Sequence, residues 1–357
     1  MTTLSERSRR SCQDAFRKGY DWYLSQQEAD GSLGTPPTDE ATFYNTLYVF
    51  AVGGRWNEAQ RFSQWARWHI IDDDGTLRVD HKGIFATRAV YFKGWHMFGA
   101  HLCGLFDMSV KTIDALLPYQ DKGCGGFYVS KARMEAGEGL VELNTTGMGG
   151  LACLVTGRME EAVAAGDFIA GLLDKQPGLN KGLYGYVDPR EGALVISREP
   201  EAADDIYVDE ETGQSTDIDR YLFYYDNDSD EIQAYANLGV PLAFLCYLHN
   251  ATGLPPYRDA ALKLFGFLEY AGEKCWIKGQ TTKVLWGLVL LHDITGDERV
   301  LGAIRALCDH LCETQLENGA WVAPIAFDDF AKQPKWISIC LAGDILLSIR
   351  SVLSYLG

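Results

Sequence analysis

Leu116–Phe127 reads LLPYQDKGCGGF, and relatives of this stretch recur along the chain: YLSQQEADGSL from Tyr23, LLDKQPGLNKGLY from Leu172 and LCETQLENGAW from Leu311. In each, an apolar helical segment stops near a glutamine (Gln26, Gln120, Gln176, Gln315), and a glycine-bearing turn then delivers an apolar or aromatic residue. Two further copies, WHIIDDDGTL around His69 and LEYAGEKCW around Tyr270, keep the rhythm without the glutamine. Repeats of this length cannot bury their apolar faces singly, so they stack or close on one another.

Around these six turns the helical periodicity alternates in character. Amphipathic stretches are expected at about 8–27, 57–70, 109–119, 158–175, 256–271 and 297–315, with charged faces suited to solvent. Stretches apolar nearly all round follow at about 40–53, 86–105, 143–156, 231–251, 279–295 and 336–354, including VPLAFLCYL and ISICLAGDILL. A helix apolar on every side is buried on every side. Six outer and six inner helices predict an all-α, single-domain (α/α)6 barrel. Residues 184–230 interrupt the count; their ALVIS and DIYVD runs read as short strands or a hairpin, and a structured insertion of this size is expected to be a lid over the barrel mouth.

Composition removes several functions. The chain of 357 residues carries a net charge of −17 and no basic stripe, which opposes nucleic acid and anionic membrane surfaces. No segment reads as a leader or a membrane span, and nine scattered cysteines without CxxC pairs fit reduced thiols. A soluble cytoplasmic protein acting on a small molecule is expected, in an oligomeric state the sequence leaves open. The GxG run in TGMGGLA lacks a βαβ unit, so no nicotinamide cofactor is expected. Asp226, Asp228 and Asp230 alternate as in a calcium loop, but Glu231 and Asn237 occupy positions that need Gly and Glu. No cofactor is therefore expected, with a loose divalent site at those aspartates as the exception.

The repeat signature resembles the QW-type repeats of the α/α-toroid superfamily, which holds terpenoid cyclases and protein prenyltransferase β-subunits. Two departures accompany the resemblance: Asp72, Asp73 and Asp74 are consecutive where class II cyclases carry Asp-x-Asp-Asp, and the zinc-holding Asp, Cys and His of prenyltransferases do not map. Glucuronyl hydrolases, sugar 2-epimerases and linalool dehydratase-isomerase share the shape, and shape does not choose a reaction.

Topology indicates where chemistry sits. All outer-to-inner loops fall on one rim, where six inner-helix N-termini converge with their free N–H groups. Polar residues there are the candidates: Asp39, Glu40 and Tyr44 at the first inner helix; His81 before the second, which presents Arg88, Tyr91, Lys93, Trp95 and His96; and Glu142 before the third. Asn144, Thr145 and Thr146 are expected to serve as helix caps. Tyr224, Tyr225, Glu231 and Tyr235 lie where the insertion meets the fourth inner helix, Lys283 and Trp286 in the fifth, Trp336 in the sixth. Catalytic roles are expected for Asp39, Glu40, Tyr44, Lys93, His96, Glu142, Tyr225 and Glu231, and substrate contacts for His81, Tyr91, Trp95, Tyr224, Tyr235, Lys283, Trp286 and Trp336. There is no GxSxG, Walker loop or HExxH. Three functions stay open: a cofactor-independent lyase, cyclase or isomerase on a small apolar substrate; a carbohydrate hydrolase or epimerase; and a non-catalytic scaffold.

Overall fold

A computed structural model of the chain describes residues 4–35, 43–72, 76–78, 88–129, 131–197, 206–208, 215–217, 220–231, 233–278, 281–323 and 329–356. Its helices, in chain order, are α1 (Glu6–Ser25), α2 (Thr46–Val52), α3 (Trp56–His69), α4 (Ala89–Leu102), α5 (Phe106–Leu116), a short α6 (Lys131–Glu135), α7 (Leu143–Val155), α8 (Met159–Asp174), a short α9 (Arg220–Phe223), α10 (Ala236–Thr252), α11 (Pro255–Ala271), α12 (Val284–Thr295), α13 (Glu298–Glu313) and α14 (Lys335–Tyr355). Apart from α6 and α9 they form six outer–inner pairs. The inner ring closes in the order α2, α4, α7, α10, α12, α14 and back to α2, while α1 packs on α13 and α14. This is the (α/α) toroid that the repeat predicts.

Burial follows the two sequence patterns. In α1 the buried residues Cys12, Ala15, Gly19, Tyr20 and Tyr23 fall three or four apart, one stripe against the inner layer. In α12 every residue from Val284 to His292 is buried, as a helix surrounded by others requires. Backbones meet closely there: a Cβ on Gly239 of α10 would lie 2.2 Å from the Lys283 carbonyl carbon, so any larger residue would push α10 from α12. By length and hydropathy α14 is the one helix among the described residues that could cross a membrane, yet 72% of its apolar window is buried by its neighbours.

The glutamine–glycine signature is a clasp between successive outer helices. Gln120 Nε2 donates to Gly125 O at 3.0 Å and to Glu161 O, in the first turn of α8, at 2.8 Å. Gln27 Nε2 does the same with Gly31 O and with Glu58 O of α3, and Gln315 Nε2 with Gly319 O and with Ala15 O of α1. In all three the glycine has φ between +82° and +96° and sits so close that a Cβ would lie 2.4 Å from a carbonyl oxygen of the clasped helix. In the first copy the clasp is Gln27, not Gln26, whose amide turns back to Trp22 O. Gln176 instead bonds Tyr184 N and O, anchoring the insertion.

That insertion enters between α8 and α10. Its strands β2 (Gly182–Tyr184), β3 (Tyr186–Asp188), β4 (Ala193–Leu194), β5 (Ile206–Val208), β6 (Ser215–Asp217) and β7 (Tyr224–Asp226) follow β1 (Val141–Glu142) in the chain. β1, β3 and β4 form one antiparallel sheet, β2 pairs with β7, and β5 with β6. Glu142 pairs with Tyr186 and Leu143 N donates to Gly185 O at 2.9 Å, so the insertion is fastened to the N-terminus of α7.

Candidate active site

Two groups of buried ionisable side chains occupy the rim half of the barrel. The first joins four inner helices. Lys283, the residue before α12, forms an ion pair with Asp344 of α14, and both are 5% exposed. Tyr44, ahead of α2, donates its hydroxyl to both Asp344 oxygens at 3.0 Å, and Asn45 Nδ2 donates to Oδ1 at 3.0 Å. The ammonium lies 5.8 Å from the ring centroids of Tyr44 and Tyr91 and 5.9 Å from that of Trp95. Trp286 packs on Trp95 at 5.7 Å. Burial works against the Lys283 charge, but the Asp344 carboxylate and Tyr91 outweigh it and hold the amine above its ordinary value. Lys283 is thus a fixed cation and no general base. Burial first, then Asp344, pushes the Tyr44 phenol well up.

The second group lies where the insertion meets α4 and α7. Glu142 ends β1 and caps α7: Oε1 accepts Asn144 N at 2.7 Å and Oε2 accepts Thr145 N at 2.6 Å. The cap is therefore Glu142 itself, where Asn144 and Thr145 are the expected cap residues, and Thr146 Oγ1 instead accepts Phe127 N. Burial raises the Glu142 carboxyl against the pull of those two amides and of Arg88. Pairing of β2 with β7 sets Tyr225 opposite Leu183 and buries it within electrostatic reach of Glu142 and Arg88. Arg88, the residue before α4, is 7% exposed. Its Nε, the Tyr225 hydroxyl, the Asn144 Oδ1 and the Trp95 Nε1 are buried without a hydrogen-bond partner.

The structure brings Tyr44, Tyr91, Trp95, Lys283 and Trp286 into the first group and Glu142 and Tyr225 into the second. The other candidates lie elsewhere. Lys93 donates to Thr76 Oγ1 at 2.8 Å, toward the loop between α3 and α4. His96 is fully buried; burial lowers its pKa to about 4, and the Phe43 backbone, nearby but outside hydrogen-bond geometry, opposes this weakly. Glu231 is exposed because α10 starts at Ala236, five residues later than the apolar run suggests. Tyr224 packs at a tilt on the Tyr184 ring at 4.4 Å, and Tyr235 donates to Asn227 Oδ1 at 2.8 Å, a structural link toward α11 through Asn227 Nδ2 and Phe267 O. Trp336 is half-buried in the first turn of α14. Asp226 accepts Asp228 N in its own turn, Asp228 and Asp230 face Lys181 and Lys274, and no group of three or more His, Cys, Asp or Glu gathers among the described residues. Asp39, Glu40 and His81 lie outside the described residues. Asp344 and Asn45 carry no sequence signal beyond one acid inside an apolar helix and one amide before another.

No protein-family model matches the chain, and no curated protein matches it. Solved structures match over almost all of it. D-mannose isomerase aligns with a TM-score of 0.63 at 14% identity, covering 99% of this chain and 100% of that one. Type II terpene cyclase MstE from Scytonema aligns at 0.59 and 12%, covering 99% and 100%. A family 76 glycoside hydrolase from a bovine Bacteroides thetaiotaomicron strain aligns at 0.55 and 13%, covering 96% and 77%. All are toroids, and at these identities the likeness concerns the fold.

Proposed function

We propose that the protein is a toroid enzyme that cyclises or isomerises a small, largely apolar substrate held at the rim half of the barrel, by acid–base chemistry from its own side chains. One observation carries this reading: Tyr44, Tyr91 and Trp95 already surround a cation with their ring faces, the environment that shields positive charge developing on carbon. Glu142, its carboxyl favoured in the protonated form by burial, is the proton donor, and the carboxylate it leaves takes back the proton that the carbocation loses, with the neighbouring Tyr225 hydroxyl as relay. Lys283 and Asp344 hold the aromatic wall in place. The insertion, fastened beside Glu142, serves as the lid that keeps water out. No cofactor is needed for these steps, and the free cysteines suit a cytoplasmic enzyme.

The test is incubation of the purified protein in deuterated water with linear polyprenyl alcohols and acids and, separately, with aldoses such as D-mannose. The expected result is an isomeric polyprenyl product with one deuterium on carbon, lost by roughly a hundredfold or more in Glu142→Gln. Conversion of an aldose with the polyprenyl compounds untouched would sink the proposal in favour of carbohydrate chemistry.

A further inference from the structure

We infer that Arg88, together with Tyr225, seats a carboxylate head group on the otherwise apolar substrate, a refinement that rests on the function proposed above.

Arg88 is the starting point. A guanidinium cannot shed its proton in a protein, so burial leaves it charged and in want of an anion. At 7% exposure it forms no hydrogen bond and no ion pair among the described residues, and its Nε is closed off from any partner. Glu142 is the acid that its charge reaches, but both oxygens of Glu142 are taken by backbone amides of α7. One more polar group within its electrostatic reach is in the same condition, the Tyr225 hydroxyl at 1% exposure. Buried polar atoms in folded proteins are almost always paired, so two neighbouring exceptions, both donors, mark a place where a ligand supplies the partner.

Chemistry narrows the ligand. The fork of Arg88 matches a planar carboxylate, and the Tyr225 hydroxyl donates to an oxyanion. Among the described residues Arg88 is the one buried Arg or Lys without a counter-ion, because Lys283 is already neutralised by Asp344. A diphosphate would bring more negative charge than the site balances and would face Glu142 as well. The apolar body of the substrate then extends from this head toward Tyr91 and Trp95, one and two turns further along α4.

Calorimetric titration of the full-length protein with farnesoate, farnesol and farnesyl diphosphate tests this. Wild type is expected to bind farnesoate roughly tenfold or more tighter than farnesol, as a charge-assisted pair implies. Arg88→Gln is expected to erase that preference while leaving the farnesol affinity within about threefold, and Tyr225→Phe to weaken farnesoate alone by a smaller factor. Equal binding of acid and alcohol by wild type, an equal loss of both in Arg88→Gln, or tightest binding of the diphosphate overturns the carboxylate seat and leaves the apolar-substrate reading standing. Binding of none of the three overturns that reading and the inference with it. If Arg88→Gln does not fold, the wild-type ratio of acid to alcohol decides, with Arg88→Lys as the variant that keeps the charge and should retain part of the preference.

Discussion

Lys283 and Arg88 are both cations buried in the same half of the barrel, and they differ in what faces them. Lys283 has a carboxylate, a phenol and three ring faces arranged about it. Arg88 has the Glu142 carboxylate and the Tyr225 phenol within electrostatic reach, yet among the described residues it is bonded to neither. His96 resolves its burial a third way, by giving up its charge. The contrast separates scaffold from site: a buried charge with its counter-ion built in is part of the frame, and one held ready without a counter-ion is spent on something that comes and goes.

Removing the counter-ion is the harshest way to break the contrast. Asp344→Asn should strand Lys283 and cost about 3–5 kcal/mol of unfolding free energy in urea titrations; a loss under about 1 kcal/mol would mean the pair does not carry the frame. The next effect depends on pH. His96 is held near 4 against 6.5 in the unfolded chain, so between those values the unfolded state binds more protons and stability falls as pH drops. That loss amounts to about 3 kcal/mol at pH 4 and is absent above pH 6.5. His96→Leu should flatten this acid limb, and an unchanged limb would show that His96 is not its source. The smallest effect belongs to Arg88. Arg88→Met should leave stability within about 1 kcal/mol of wild type or raise it, since an unpaired buried charge gives way to an apolar chain. A loss as large as that of Asp344→Asn would erase the distinction between the two cations.

The toroid was legible because its cause is repeated: a clasp made three times with the same glutamine, glycine and neighbouring carbonyl leaves the same trace in sequence each time. The candidate site has no such redundancy. Lys283, Tyr91 and Trp95 stand out as polar or aromatic residues in inner helices, whereas Asp344 is one acid in a helix of 21 residues that otherwise reads apolar. Residue type alone also misplaced roles near helix starts. Glu142 is at once a cap and a buried acid, and Glu231 falls outside α10 because an apolar run does not mark the residue at which a helix begins.

The clasp of Gln315 on Ala15, and the seating of α14 between α12 and α2, tie together residues about as far apart as the chain allows. During synthesis the amino-terminal helices emerge long before the element that locks them. Five pairs must wait, with their inner faces uncovered along one seam, until α14 leaves the ribosome. Tyr44 then meets Asp344 across 300 residues of sequence, in the same event that gives Lys283 its counter-ion. Closure of the ring and assembly of the inner cation cage are therefore one step in time, so an unfinished chain cannot hold a finished cage.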